Sequence, residues 1–162
     1  MNTLDQSIKD YCKILSLPVV ALQYQHEAAV ALGMKAVKAR KRVIMYSAED
    51  LVNELMTHEV SNTLPSFLDT ISRIDLLIID ELGYLALSKQ SAALFFKLIS
   101  KRYEKTSVII TSNKPFEEWG EIFADDVVAA AILDRLLHHC YPFFIQGKSY
   151  RLKEMMGKKK ES

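Results

Sequence analysis

The sequence has few of the residues that support disulfide, metal or membrane chemistry. Only Cys12 and Cys140 occur among its 162 residues, and their wide separation fits neither a disulfide framework nor a metal-ligand spacing. We therefore expect a reduced, cytoplasmic protein. No apolar run is long enough to cross a bilayer, and the amino terminus lacks the apolar core of a signal peptide, so we expect no membrane partner.

The sequence also lacks a strong charge of either sign. Its formal net charge is +1, which neither supports nor excludes nucleic acid as a partner. Apolar residues make up 49% and charged residues 25% of the chain, which is typical of an ordinary globular protein. The length suits one domain with a real core.

The most informative stretch is LLIIDE, residues 76–81. Four large apolar residues in succession predict a strand buried on both faces of a parallel sheet. Asp80 and Glu81 follow at its carboxyl end, where ligand sites of open α/β sheets gather. An apolar strand with two acids also has the form of a Walker B motif, in which the first acid assists Mg²⁺ and the second orients water. The alternative is a buried strand followed by an ordinary acidic turn.

The remaining periodicity predicts alternating helices and strands. A second buried strand is expected over 107–113, again with small polar groups at its carboxyl end. Capping residues and apolar faces predict helices over about 4–16, 25–39, 47–58, 88–104 and 125–139, with short helices near Pro65 and Pro115. Further strands are expected at 43–46 and 143–145. This order predicts an α/β fold, a three-layer αβα arrangement with a mainly parallel sheet.

A cluster of five basic residues closes the second predicted helix and the loop after it. The cluster consists of Lys35, Lys38, Arg40, Lys41 and Arg42. Such a cluster commonly stays hydrated and stabilises the carboxyl end of a helix. The alternative is contact with nucleic-acid phosphates, which gives binding that depends on salt rather than on base sequence.

Two other metal sites are disfavoured by the sequence. His138 and His139 are adjacent on a helix, so their rings point in different directions, and no second cysteine or acid has a useful spacing. Asp125 or Asp126 could extend the acidic pair into a carboxylate-rich nuclease site. We expect one of them to cap a helix instead.

The order of five segments resembles the IstB-like ATPases. The segments are LLIIDELGYL, LFFKLISKRYE, ITSNKPFEEWGEIF, AAAILDRLLHH and GKSYRLKE. Members of that family are AAA+ proteins that assist the transposases of insertion sequences and are related to the DnaC helicase loaders. The resemblance implies an incomplete AAA+ core, of the P-loop NTPase type, over residues 26–154. A helical arm over 1–25 would precede this core, and a basic disordered tail over 155–162 would follow it.

The resemblance also implies cofactors, partners and residue roles. ATP and Mg²⁺ are the implied cofactors, and a transposase, DNA and other AAA+ subunits in a homo-oligomer or mixed assembly are the implied partners. Asp80 matches the Walker B acid that assists Mg²⁺, Glu81 the acid that prepares water, and Asn113 the sensor 1 residue. Arg135 sits where the family presents an arginine finger, with a surface ion pair as the alternative. Arg151 is a candidate second phosphate-sensing cation.

The sequence departs from the family at the phosphate-binding loop. The pattern G-x-x-x-x-G-K-[ST] is absent, because the Gly-Lys pairs at 147–148 and 157–158 lack the upstream glycine. The lead-in LQYQ runs directly into HEAAVALGMKA, which matches the helix after that loop, so the pattern indicates an internal deletion near residues 24–28. We expect little or no ATP hydrolysis. The alternatives are a non-enzymatic module that docks on intact ATPase subunits or on the transposase, and a decayed fragment.

Overall fold

The structure, a computed structural model, describes residues 25–138 and 140–143. Six α-helices lie in these ranges: α1 Gln25–Lys38, α2 Ala48–Val60, α3 Leu64–Ser72, α4 Lys89–Arg102, α5 Trp119–Phe123 and α6 Asp126–Leu137. Three strands alternate with them: β1 Val43–Ser47, β2 Leu76–Leu82 and β3 Ser107–Ser112. A 3-10 turn over Phe116–Glu118 leads into α5.

The three strands form one parallel sheet in the order β1-β2-β3. The central strand β2 pairs on both sides, with Leu77 opposite Ile44 and Ile78 opposite Ile109. Every residue of β2 except Glu81 is buried. This burial explains the unbroken apolar run of β2, and the predicted α/β fold with a parallel sheet is confirmed.

Helices cover both faces of the sheet. Ile78 packs with Ala29 of α1 in a small apolar cluster, whereas Ile79 belongs to the main core with α2 to α6. Successive side chains of a strand point to opposite faces. Asp80, two residues after Ile78, therefore faces the side of the sheet on which α1 lies.

The helix α1 runs antiparallel to β2 and lies close to it. A Cβ atom at Gly33 would lie 2.8 Å from Cδ1 of Ile78, so only glycine allows this approach without a shift. His26 in the first turn contacts Asp80 at the carboxyl end of β2, and Ala36 lines a cavity at the amino end. This helix therefore runs along the strand direction, from the carboxyl end of β2 to its amino end.

Local capping positions most helices where the sequence predicts them. The side chains of Ser47, Ser88 and Asp125 each accept a backbone N–H in the first turn of α2, α4 and α6. Of the two acids expected to provide a cap, Asp125 or Asp126, it is Asp125 that does so. The helix α4 ends at Arg102 rather than at the predicted Glu104, because the backbone turns to an extended conformation at the next residue.

Several predictions lie outside the described residues. These are the arm up to residue 24, most of the strand at 143–145, Arg151 and the basic tail over 155–162. Phe143 is described and has no regular structure. Among the helices that the structure describes, none has the length and apolar character needed to span a bilayer.

Candidate functional site

Asp80 and Thr111 lie side by side at the carboxyl ends of β2 and β3. Asp80 is 5% and Thr111 7% exposed, and the Thr111 hydroxyl donates a hydrogen bond to Oδ1 of Asp80. The same hydroxyl accepts the backbone N–H of Glu81 at 2.8 Å. Thr111 thus fixes both the buried carboxylate and the backbone that follows it.

A strand irregularity separates the two acids of the predicted Walker B motif. The register of β2 against β3 shifts between Ile79 and Leu82, and Glu81 has a φ of 63°. The left-handed region costs a residue other than glycine on the order of 1 kcal/mol. The result is that the Asp80 side chain is buried while that of Glu81 is exposed.

Asn113, which follows β3, lies against the turn after β2 at the same end of the sheet. Gly83 has a φ of 105°, and a Cβ there would lie 2.7 Å from Oδ1 of Asn113. The amide side chain therefore lies directly against this turn. Asn113 thus lies at the same end of the sheet as Asp80 and Glu81, beside Gly83, while the chemical roles of the three residues stay predictions.

His26 is a site residue that the sequence did not reveal. Its Nδ1–H donates a hydrogen bond to Oδ2 of Asp80. This bond raises the pKa of His26 above its ordinary value; burial opposes the rise, and the charges of Asp80, Glu27 and Glu81 add to it. No local pattern marks the contact, because it depends on how α1 is laid across the sheet.

The donor set at this edge does not fit a Mg²⁺–nucleotide site. Mg²⁺ requires near-octahedral oxygen ligands, commonly one or two carboxylates with phosphate oxygens and the hydroxyl of a P-loop. Both oxygens of Asp80 already accept hydrogen bonds, from Thr111 and His26, and the sequence has no P-loop. Within ranges 25–138 and 140–143, no three His, Cys, Asp or Glu side chains are grouped to hold a metal ion.

Arg135 is held on the surface of its own chain. Its guanidinium lies over the ring of Phe96 in α4, 4.6 Å from the ring centroid. Its Nη1 donates to the backbone oxygen of Ala131 at 2.9 Å. These contacts differ from the surface ion pair considered as the alternative, and the role of an arginine finger stays a prediction.

The basic cluster lies at the opposite edge of the sheet, where β2 and β3 begin. The backbone N and the Nε of Arg42 donate to Oδ2 of Asp75 at 2.9 and 3.0 Å, and these bonds lower the pKa of Asp75 to about 2. A cavity of about 300 Å³ beside this pair is lined in part by Lys41, Lys105 and Thr106. The sequence did not predict Lys105 as part of this site, although its position just before β3 places it at this edge.

Positive charge dominates this second edge. We call it the basic edge and define it by Lys35, Lys38, Arg40, Lys41, Arg42 and Lys105. Of these residues only Arg42 forms an ion pair with a carboxylate in the described part of the chain. Strand geometry puts about 16 Å between Asp75 at this edge and Asp80 at the other.

Known insertion-sequence proteins are similar to this chain. Residues 25–158 match the family model described as IstB-like ATP binding protein. The chain is 51% identical over 126 residues to a Pseudomonas aeruginosa protein named as the ATP-binding protein of insertion sequence IS21. It is 45% identical over 126 residues to one named for insertion sequence IS5376 of Geobacillus stearothermophilus. Each alignment covers 78% of this chain but only 48% and 50% of these relatives, so the chain spans about half their length.

Two solved structures share the fold. The AMPPCP-bound DnaA from Aquifex aeolicus superposes with a TM-score of 0.63 at 21% identity, over 88% of this chain and 43% of DnaA. A DnaC helicase loader superposes with a TM-score of 0.53 at 22% identity, over 68% of this chain and 67% of the loader. The expected AAA+ fold of the P-loop NTPase type is thereby confirmed. By its family match and the identity to the insertion-sequence proteins, the chain belongs to the IstB-like ATP-binding protein family.

Proposed function

We propose that the chain is a transposition helper that acts with a transposase on DNA and does not hydrolyse ATP on its own. The insertion-sequence relatives support the transposition context. One observation carries the proposed loss of hydrolysis: side chains of this chain engage both oxygens of Asp80, and the sequence offers no P-loop beside it. A cytoplasmic location and assembly with other AAA+ subunits stay predictions.

ATP hydrolysis is not expected because the chain has no loop that holds the phosphates of the nucleotide. Phosphoryl transfer is catalysed almost wholly by positioning and by stabilisation of charge. A P-loop supplies backbone N–H groups and a lysine that neutralise the phosphate oxygens. Asp80 and Glu81 instead bring negative charge towards an anionic nucleotide, and Asn113 adds only an amide. We therefore expect weak ATP binding and no turnover.

The test is phosphate release from MgATP by the purified chain. We expect the wild type and Glu81→Gln to release phosphate at the same background rate, because the chain has no hydrolysis for this acid to support. A full-length insertion-sequence relative, with the matching acid-to-amide change, is the positive control. Turnover by the wild type that Glu81→Gln abolishes would contradict the proposal.

A second candidate function is a non-enzymatic module that docks on intact ATPase subunits. Apolar side chains remain exposed along α6 and just beyond it: Val127 at 78%, Leu137 at 40% and Tyr141 at 83%. This second function requires that a partner subunit covers these side chains when it docks. Nucleotide titrated onto the chain alone, and then onto its mixture with a full-length relative, separates the two functions. Binding of nucleotide at a new site in the mixture alone favours the module.

The basic edge is the proposed contact with DNA. Phosphate contacts need positive charge on a surface that a duplex can reach, and they do not read base sequence. Lys41 and Lys105 both line one cavity at this edge and come from chain segments more than sixty residues apart. Folding thus assembles a larger basic surface than the cluster that is visible in the sequence.

A further inference from the structure

The ring of His26 lies between Asp80 and solvent. Thr111, which belongs to β3, holds Oδ1 from within the sheet, whereas His26 holds Oδ2 from α1. The Asp80 side chain is 7% exposed and the His26 side chain 55% exposed. A cation approaching the outward oxygen of Asp80 therefore meets the imidazole first.

The packing of the whole helix α1 sets the position of this ring. His26, Ala29 and Gly33 have the spacing i, i+3, i+7, which places them along one face of the helix. Ala29 is 2% exposed in the cluster with Ile78, and Gly33 brings the helix axis close to the same isoleucine. The contact with Asp80 is therefore a product of this buried face and not of a freely moving surface side chain.

We propose that His26 blocks the access of divalent cations to the Asp80 carboxylate, so that Mg²⁺ or Mn²⁺ binds there only when the imidazole ring is displaced. The N–H directed at Oδ2 occupies one of the two lone-pair directions through which a metal ion would bind that oxygen, with the imidazole ring beside it, and the Thr111 hydroxyl occupies one on the other oxygen. The inference rests on the proposed function only in treating Asp80 as the acid of a former nucleotide site. It needs no nucleotide and makes no statement about hydrolysis.

Mn²⁺ binding at neutral pH, without nucleotide, tests the proposal by electron paramagnetic resonance of the free ion. The variants are His26→Ala, His26→Ser, Asp80→Asn and the double variant His26→Ala/Asp80→Asn. His58→Ala is the matched control, because His58 also hydrogen-bonds a side chain, that of Thr63, but lies on α2. We expect His26→Ala to bind Mn²⁺ at least about tenfold more tightly than the wild type, the scale at which neighbouring groups alter metal affinity.

The expected pattern is specific to the Asp80–His26 contact. His58→Ala and the double variant should bind like the wild type, and His26→Ser, whose short side chain does not reach Oδ2, replaces His26→Ala if circular dichroism shows that the alanine variant is unfolded. Equal Mn²⁺ affinity in the wild type and the folded His26 variants overturns the proposal, whether that affinity is high or undetectable. Survival of the new site after Asp80→Asn also overturns it. Because ATP is absent, either result leaves the test of hydrolysis independent.

Discussion

At the scale of single residues, the backbone conformation of Glu81 determines that the side chain of Asp80 is buried and that of Glu81 exposed. Its φ of 63° lets the chain turn between a buried Asp80 and a buried Leu82 while Glu81 itself points outward. The backbone N–H of Glu81 is held by Thr111, so this conformation is anchored by a hydrogen bond from the neighbouring strand. A residue that does not tolerate a positive φ at position 81 would therefore strain the backbone between Asp80 and Leu82 and its hydrogen bond to Thr111.

We expect Glu81→Val to lower the free energy of unfolding by about 1–2 kcal/mol, because a β-branched side chain tolerates the left-handed region poorly. Glu81→Gly should lose no stability, since glycine adopts a positive φ without steric cost. Urea unfolding of both variants, beside Glu81→Gln as the control of similar shape, measures the difference. Equal stabilities of the valine and glycine variants would mean that the backbone conformation carries no strain.

At the scale of elements, a buried arginine ties three of them together. Arg102 at the end of α4 is 1% exposed, and burial lowers its pKa to about 10. Its guanidinium donates to the backbone oxygen of Ile71 at the end of α3 and to those of Ile74 and Ser107, just before β2 and at the start of β3. Arg102 thus supplies donors to three backbone carbonyl groups where α3, the start of β2 and the start of β3 meet.

Arg102→Met should lower the free energy of unfolding by about 2–3 kcal/mol, because three buried or part-buried carbonyl oxygens lose the guanidinium as a donor. Lys101→Met is the matched control: this neighbour is 43% exposed and forms an ion pair with Asp69 at the surface, and such pairs contribute about 1 kcal/mol or less. Denaturant unfolding monitored by circular dichroism compares the two variants. Similar losses in both would refute a special role for the buried guanidinium.

The same elements show what the sequence could and could not predict. The run LLII and the caps Ser47 and Asp125 were predictable, because burial on two faces and first-turn hydrogen bonds act within a few residues. The register shift before Leu82 and the His26–Asp80 contact depend on packing between distant segments. Arg102 has helical spacing from the buried Leu98 and Ile99, but its charge indicated solvent, and only the fold supplies the carbonyl groups that it binds.

At the scale of the whole molecule, acidic and basic groups lie at opposite edges of one sheet. The carboxyl ends of β2 and β3 gather Asp80 and Asn113, whereas their amino ends carry the basic edge with Lys41 and Lys105. This separation explains how a chain with a formal net charge of +1 can still present one strongly positive surface. The proposed DNA contact and the proposed loss of hydrolysis can therefore be tested independently.

We expect the double variant Lys41→Glu/Lys105→Glu to weaken DNA binding to a similar degree for unrelated duplexes. The slope of log affinity against log salt should fall by about 2, because two phosphate contacts are lost. The control Lys89→Glu/Lys97→Glu makes the same change in charge on α4, where both lysines are exposed. Fluorescence anisotropy at several salt concentrations measures both quantities. An equal effect of the control pair would show that net charge alone, and not the basic edge, governs binding.

The close seating of α1 on the sheet has a mechanical consequence. This helix of 14 residues is about 21 Å long, with His26 at one end and Lys35 and Lys38 in its last turn. A helix moves as a rigid rod, so a sliding force applied to the lysine end is transmitted to the imidazole at the far end. By thermodynamic reciprocity, a ligand that displaced His26 from Asp80 by shifting α1 would change the affinity for a polyanion at the lysine end by the same factor as the polyanion changes the affinity for that ligand.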